Sequence, residues 1–594
     1  MIQGRCGSRC VSTLSLLILY GIAVTFTGGC ASSSVPVTVQ VSPQIVAVAT
    51  GQTTQFTAIV TNNSSGVSWT ATAGSIDANG NYTAPSGTQS TTATVTATSV
   101  KDKTQMATAK VNVVAPGQVT GTANVQVASY TIAPAGAGNV SVQFGTSTSY
   151  GLTTWTQPVP TGGGAVSLFV AGMKMNTLYH MRGVVQFTDG SLYNDVDQTF
   201  TTQAIPAAQL PTITATTTAG MTPQSGVELL DMVDAPTVVN PVAVTDLSGN
   251  VLWAYNPGLV GIGPNPIKML PNGHFLINFS GATDDGSGSI LQEVDLTGKL
   301  IWQMTTAQLN TALAAATCAG CNITVVGTHH DFVMLPNGHL VVLASTQQEV
   351  AGTTVTGDVI IDLDQNHNPA WLWNEFDHLD ITRQPYLFPD WTHSNALLYS
   401  ASDGNLVVSI RHQNWLVKVD YENGTGTGDV IWHLGYQGDF ILAGGMDPTD
   451  WFYAQHGPSF TTTTTSGQFG MAVFDNGDDR FFPSGQELCP PPGTTPPANC
   501  YSTVQIYSLD ETAKTATLTM NLTAPFYSFF GGNTEVLANG NVEFCESAEP
   551  TGLAGDVYEV TQGSSAQTVW HMQVNGEYVY RGQRLPSLYP GVQW

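Results

Sequence analysis

One unit recurs along the last two thirds of this chain, and it restricts the fold more than any other feature. A turn carrying Asp and Gly leads into a strand carrying Trp: D-L-S-G-N-V-L-W (Asp246–Trp253), D-L-T-G-K-L-I-W (Asp295–Trp302) and D-L-D-Q-N-H-N-P-A-W (Asp362–Trp371). Looser copies run from Asp420 to Trp432, from Asp510 to Leu518 and through the strand ending at Trp570. A second motif alternates with the first: M-L-P-N-G-H-F-L-I-N from Met269, M-L-P-N-G-H-L-V-V-L from Met334, S-A-S-D-G-N-L-V-V-S from Ser400 and V-L-A-N-G-N-V-E-F from Val536. Asn-Gly and Asp-Gly pairs favour two-residue hairpin turns that need positive φ. Each unit is therefore a small antiparallel sheet. Such a sheet cannot bury both faces alone, so its copies must stack around an axis. The expected fold is all-β, with a six-bladed β-propeller over residues 206–594. The recurring Trp is expected to pack between blades.

Upstream, the pattern is simpler. Residues 31–115 alternate apolar and polar, with Thr and Val dominant and turn residues at short intervals, the pattern of a β-sandwich. The stretch G-S-I-D-A-N-G-N-Y-T-A-P (Gly74–Pro85) resembles bacterial Ig-like modules. Residues 116–205 read as a second sandwich of fibronectin type III kind, from V-Q-F-G-T-S-T-S-Y-G, T-L-Y-H-M-R-G-V-V-Q and Q-T-F-T-T. Neither carries a cluster of chemically active residues.

The N-terminus reads as an export signal over residues 1–30. Arg5 and Arg9 precede an apolar stretch, and T-G-G-C ends at Cys30. This is the pattern of a lipoprotein signal with Cys30 lipidated, although Thr27 stands where Leu is usual; an ordinary cleaved signal is the alternative. Export to the periplasm or cell surface suits the cysteines. Cys318 and Cys321 form C-A-G-C, and Cys489 and Cys500 flank a Pro-rich loop, so two local disulfides are expected. A zinc site would need further ligands at suitable spacing, and no second C-x-x-C exists. Membrane contact is expected only through an N-terminal lipid anchor.

Charge narrows the partners. The net charge is −26, with 16 basic residues against 42 acidic ones. Phosphate neutralisation needs clustered Lys and Arg, so nucleic acid is an unsuitable partner. No G-x-x-x-x-G-K-[ST] loop is present, which argues against a nucleotide donor.

Of only 12 histidines, several break the repeat at comparable places in successive units. His329 and His330 lie in T-H-H-D-F, His393 in D-W-T-H-S-N-A with Asn395 two residues on, Arg411 and His412 in S-I-R-H-Q-N, and His456 in Y-A-Q-H-G-P. Equivalent positions in a closed ring face one axis, so His330, His393, Arg411 and His456 are expected to converge. Trp391 and Phe332 are candidate stacking partners for an aromatic substrate. His412 reads as structural.

D-W-T-H-S-N-A followed by S-I-R-H-Q-N resembles the signature of the bacterial aryl-sulfate sulfotransferases. H-H-D-F-V-M-L-P-N-G, Q-H-G-P, F-D-N-G-D-D-R (Phe474–Arg480) and Y-R-G-Q-R-L-P-S-L-Y-P (Tyr580–Pro590) are similar as well. The resemblance implies a six-bladed propeller that passes a sulfuryl group from an aryl sulfate to a phenol through a sulfohistidine, without a nucleotide donor or any cofactor. It implies that His456 accepts the sulfuryl group, that His393, Asn395 and Arg411 bind it, and that His330 or His329 is a further site histidine. The chemistry is coherent. Arg offers a permanent charge, neutral imidazole is a nucleophile near pH 7, and the departing phenolate, whose conjugate acid has a pKa of about 10, needs a proton.

Overall fold

The computed structural model describes residues 35–233, 241–259, 262–281, 286–461, 467–481, 488–563 and 565–594. The signal segment and Cys30 lie outside the described residues. The fold is all-β: strands form every sheet, and the described α-helices are two short ones, Thr306–Ala315 and Glu375–His378.

Among the described residues of 206–594 there are six sheets, antiparallel apart from one parallel edge pair (Ile441–Ala443 on Thr515–Thr523), and each has one head strand. In chain order the heads are β1 (Ile262–Met269), β2 (Val325–Met334), β3 (Ser394–Ser400), β4 (His456–Phe460), β5 (Asn533–Val536) and β6 (Tyr578–Leu585). β1, β2 and β3 are each followed by their own sheet partners in sequence order, and so is β4 except that its outermost strand, Ile441–Ala443, precedes it. The other two sheets are assembled from both ends of the region. The C-terminal β6 pairs with Val227–Val233, whereas the early strand Thr212–Thr217 adds to the far edge of the β5 sheet. Residues far apart in sequence are thereby hydrogen-bonded, which ties the beginning of the region to its end. The heads meet in succession, β1 with β2, β2 with β3, β3 with β4 and β4 with β5, while β6 touches β1 and the β5 sheet.

The repeated turns and tryptophans explain how the sheets join. In the turn after Asp246, Gly249 sits at φ 82° and its amide donates to the Asp246 carbonyl at 3.0 Å. The Trp indole of one sheet then reaches the neighbouring sheet's turn. Trp253 Nε1 donates to Leu296 O at 2.7 Å, Trp373 to Gly428 O at 2.8 Å, Trp432 to a Glu511 carboxylate oxygen at 2.8 Å and Trp570 to Leu247 O at 2.8 Å. Trp302 instead stacks on His367, ring centres 3.9 Å apart. In the third unit the linking residue is Trp373, two positions beyond the Trp371 of the repeat, because Trp373 is the one turned into the core. Each of these four linking indoles is buried, so both the apolar area and the N–H are satisfied together. Truncating one to Ala costs about 3–5 kcal/mol by the usual scale for buried Trp.

Residues 38–114 form three small sheets, and residues 118–201 form a three-stranded and a six-stranded sheet. The second of these modules is fused to the larger region through one apolar core containing Tyr130, Met173, Tyr179, Trp253, Phe275 and Tyr589. The Ala171 amide donates to Tyr589 Oη at 2.8 Å, Tyr589 Oη donates to Phe169 O at 2.8 Å, and Trp594 Nε1 donates to Thr153 O at 2.9 Å. Both expected disulfides, Cys318–Cys321 and Cys489–Cys500, are present, and Cys545 is a buried thiol.

Candidate active site

The head strands are interrupted where the chemistry-bearing residues lie. β2 loses register between Thr328 and Phe332, β3 between Ser394 and Ala396, and β4 between His456 and Ser459. A bulge adds residues to one strand and re-aims side chains. His330 at φ 56° and His393 at φ 51° occupy left-handed backbone that few non-glycine residues adopt. After His456 the same need falls on Gly457 at φ 42°, where a Cβ would stand 2.5 Å from Asn533 Cα, so β4 and β5 can meet only at glycine.

These bulges bring separate sheets to one place. The His330 ring lies 4.8 Å from the His393 ring, and the His393 ring stacks on His412 at 4.5 Å. Tyr580, on β6, bridges the rest: its ring centre is 5.9 Å from His330 and 6.2 Å from His456. His330, His412 and His456 are all but inaccessible to solvent.

Each group has a fixed partner. Arg411 bonds Asp478 through Nη2 at 2.7 Å, donates from Nη1 to His412 Nε2 at 2.9 Å, and lies over the rings of Tyr386 and Phe529. His412 donates from Nδ1 to Asp390 O at 2.7 Å, and His393 Nδ1 meets the Asp390 carboxylate at 2.6 Å. His456 Nδ1 lies 2.7 Å from Asn476 Oδ1. The Asn476 amide nitrogen donates to Ser528 O and Gly531 O at 2.8 and 3.1 Å, which fixes which way the amide faces. His456 must therefore carry its proton on Nδ1, and Nε2 keeps its lone pair. Asn395 donates to Gln455 O at 2.7 Å, next to His456, while its own Oδ1 is buried without a hydrogen-bond partner. Arg581 ties β2, β3 and β6 together by donating to Asn395 O at 2.8 Å and His330 O at 3.3 Å, with Asp331 3.2 Å away.

Burial above all, together with neighbouring positive charge, holds His330, His412 and His456 well below the ordinary imidazole pKa; for His456 the chief charge is Arg411. These imidazoles are neutral at pH 7. Burial pushes Asp478 up to about 7, opposed by the Arg411 charge. The result is a buried cluster of neutral nitrogen bases beside the Arg411 and Arg581 guanidiniums. It can hold an anion against a nucleophilic nitrogen. Asp390, His393 and His412 place ligand-type atoms within 4.8 Å of one another, but both His412 nitrogens are engaged and Arg411 is adjacent, which suits an anion better than a cation.

The cluster contains His330, His393, Arg411 and His456, with Asn395 beside it. His329 is one layer back, bonded to His330 and to Asp358. Two sequence expectations need correction. Trp391 is buried against Phe376, its indole N–H spent on Arg383 O at 2.9 Å, and Phe332 is packed in the core with Leu340 and Val342. Neither is available to stack on a substrate, because both rings are already taken up in packing. Phe529 and Tyr386 flank Arg411, and Tyr580 lies against His330 and His456. His412 is no bystander, since it supports Arg411. Sequence reasoning also passed over Asn476, Asp478, Asp358 and Asp390. The signal for Asp358 is an acidic residue in an otherwise apolar strand, V-T-G-D-V-I-I-D-L. Asn476 and Asp478 sit inside F-D-N-G-D-D-R, whose charge density is unusual in so weakly charged a chain.

Among solved structures, the chain is similar to a Bacteroides uniformis protein assigned as a 6-phosphogluconolactonase, at 8% identity and TM-score 0.31 over 76% of this chain and 99% of that one. It also aligns with an ICAM-5 D1–D4 ectodomain fragment, at 9% identity and TM-score 0.16 over 55% and 99%. Likenesses this faint carry no argument. No curated protein matches the chain. Residues 220–581, which hold every residue of the cluster, match the family model Arylsulfotransferase (ASST), and with more than half its length matched the chain belongs to the arylsulfotransferase family.

Proposed function

We propose that this protein transfers a sulfuryl group from a phenolic sulfate ester to a phenol by a ping-pong route through sulfohistidine at His456, without a nucleotide donor. The observation that carries the reading is the His456–Asn476 bond, which leaves Nε2 with its lone pair inside a pocket that also holds Arg411. In the first half, Nε2 attacks sulfur. The N–S bond forms, the S–O(aryl) bond breaks, and the phenolate leaves with a proton from a pocket imidazole. Arg411, His393 and the Asn395 side chain hold the sulfuryl oxygens, whose spread charge needs support rather than covalent work. In the second half, a phenol oxygen attacks the sulfur, its proton returns to the same imidazole, and His456 is regenerated. Phe529 and Tyr386 are suited to receive the aryl ring of either substrate.

The six sheets with their successive head strands support a six-bladed propeller. The sheets of residues 38–114 and 118–201 suit an Ig-like and a fibronectin type III-like sandwich. The N-terminal signal pattern and both disulfides suit an exported protein, lipid-anchored through Cys30.

The test is incubation with 4-nitrophenyl sulfate and a phenol. Acceptor-dependent release of nitrophenol, matched by formation of the new aryl sulfate and lost in His456→Asn, is expected. Release that ignores the acceptor and yields inorganic sulfate would make the protein a sulfatase instead.

A further inference from the structure

We propose that His329 and Asp358 form a proton store behind His330, which draws on it to protonate the departing phenolate and refills it from the incoming phenol. This rests on the sulfotransferase reading and assigns two residues that have no role in it.

The geometry is a linear chain of three groups. His329 Nε2 lies 2.9 Å from Asp358 Oδ1, and His329 Nδ1 lies 2.7 Å from His330 Nδ1. All three residues are buried. The second Asp358 oxygen accepts from Thr392 Oγ1 at 2.8 Å and the Ser394 amide at 2.6 Å. These bonds orient the Asp358 carboxylate toward His329. The nearest acid is Glu375, which accepts from Ser394 Oγ at 2.6 Å and from the Asp358 amide at 3.3 Å. Burial and then the Asp358 charge push Glu375 up to about 8, so Glu375 stays protonated and the negative charge of this pair rests on Asp358.

Two imidazole Nδ1 atoms at hydrogen-bonding distance must share one proton. With Nε2–H of His329 donated to Asp358, two arrangements exist. Either His329 is an imidazolium donating to a neutral His330, or His329 is neutral and accepts from His330. His330 itself cannot keep a second proton easily. It is buried and faces His393, His329 and Tyr580, with the Arg411 charge also pressing on it and Arg581 bonded to its carbonyl. His329 can hold the extra proton, because the Asp358 carboxylate compensates the charge.

The step balances. Before transfer, His329 is the imidazolium and His330 is neutral with its proton on Nε2. As the S–O(aryl) bond breaks, His330 Nε2–H passes to the phenolate oxygen, and the His329 Nδ1 proton moves to His330 Nδ1. A neutral phenol leaves, His329 is neutral, and no net charge is created beyond the sulfo group now on His456. When the acceptor phenol attacks, its proton enters at His330 Nε2 and the shared proton returns to His329.

The store matters most when the leaving phenolate is strongly basic. The test compares phenyl sulfate with 4-nitrophenyl sulfate, whose leaving group needs little protonation, in wild type, Asp358→Asn and His329→Asn. In both variants, single-turnover release of phenol from phenyl sulfate without acceptor should slow about 100-fold, while release of nitrophenol from 4-nitrophenyl sulfate stays within about threefold, the range of general acid catalysis being lost selectively in the first half reaction. The double variant should be no worse than either single one, as for residues acting as a unit. His329→Asn leaves Asp358 bonded to Thr392 and Ser394 and so checks the result without disturbing that strand. Equal losses on both donors would overturn the store and leave the sulfotransferase reading standing. Absence of transfer from either donor in wild type would overturn both.

Discussion

Asn476 Oδ1 lies 2.7 Å from His456 Nδ1, and this one hydrogen bond decides which imidazole nitrogen keeps its lone pair. The amide is itself held by the carbonyls of Ser528 and Gly531 and cannot offer its nitrogen instead. Asn476→Ala removes the constraint, and the two neutral tautomers then compete. Turnover should fall about 100-fold or more with little change in KM, as when an imidazole loses the partner that sets its tautomer. Steady-state kinetics with 4-nitrophenyl sulfate checks this.

His456 should be the only histidine that becomes covalently sulfated. Brief incubation with a ³⁵S-labelled donor in the absence of acceptor should leave acid-labile label on wild type and on Asn395→Ala, and none on His456→Asn. Stoichiometric label on the His456 variant would transfer the nucleophile's role elsewhere.

Arg411 holds three relationships at once: Asp478 at 2.7 Å, His412 Nε2 at 2.9 Å and the rings of Tyr386 and Phe529. Lysine keeps the charge but not the fork. Arg411→Lys should lower kcat/KM by about 100- to 1000-fold, the usual loss on removing a preorganised donor to developing charge. Asp478 supplies the opposite control. Asp478→Asn should weaken turnover less than Arg411→Lys, because the guanidinium remains.

His412 makes stability depend on pH in a defined direction. Burial, then the His393 charge, holds its folded pKa well below the unfolded value of about 6.5. Its stabilising contribution is complete above pH 6.5 and is lost as the pH falls through the depressed folded value. Relative to His412→Asn, wild type should therefore lose up to about 1.4 kcal/mol of unfolding free energy per pH unit on acidification below 6.5. Denaturant melts of the pair between pH 7 and pH 5 give the difference, in which other titrating groups cancel.

The Cys489–Cys500 bridge closes the Pro-rich loop and packs with Tyr527, whose hydroxyl donates to Asp478 at 2.9 Å. Replacing both cysteines by Ser should destabilise the protein by about 2–3 kcal/mol for a loop of this length. Because Tyr527 helps hold Asp478 against Arg411, a rise in KM for aryl sulfate should accompany the fall in Tm. The Cys318→Ser/Cys321→Ser pair, remote from Arg411 in the core of the β2 sheet, should lower stability without changing KM.

Much of the site could be read along the chain. His330, His393 and His456 stand at the heads of three successive sheets, so a single repeat argument gathers them, whereas Arg411 follows the second strand of the His393 sheet and joins them through His412. What that argument misses is instructive. Trp391 and Phe332 stand beside the right histidines and were expected at the substrate, yet both are core residues. Closeness in sequence does not decide which way a ring packs: Trp391 precedes the bulge at 394–396, and Phe332 follows the one at 328–332.

The amino-acid sequence alone determined the all-β class, the sheet-by-sheet repetition, the tryptophans that join sheets and both disulfides. These depend on alternation, turn chemistry and short spacings, which act over a few residues. Tertiary structure decided which nitrogen of His456 keeps its lone pair, that His412 supports Arg411, and that Asp358 and Asn476 orient the cluster's histidines. Those partners lie 29 residues from His329 and 20 from His456. A hydrogen bond between them exists only once the sheets are packed, because direction and burial, not residue type, select its partner.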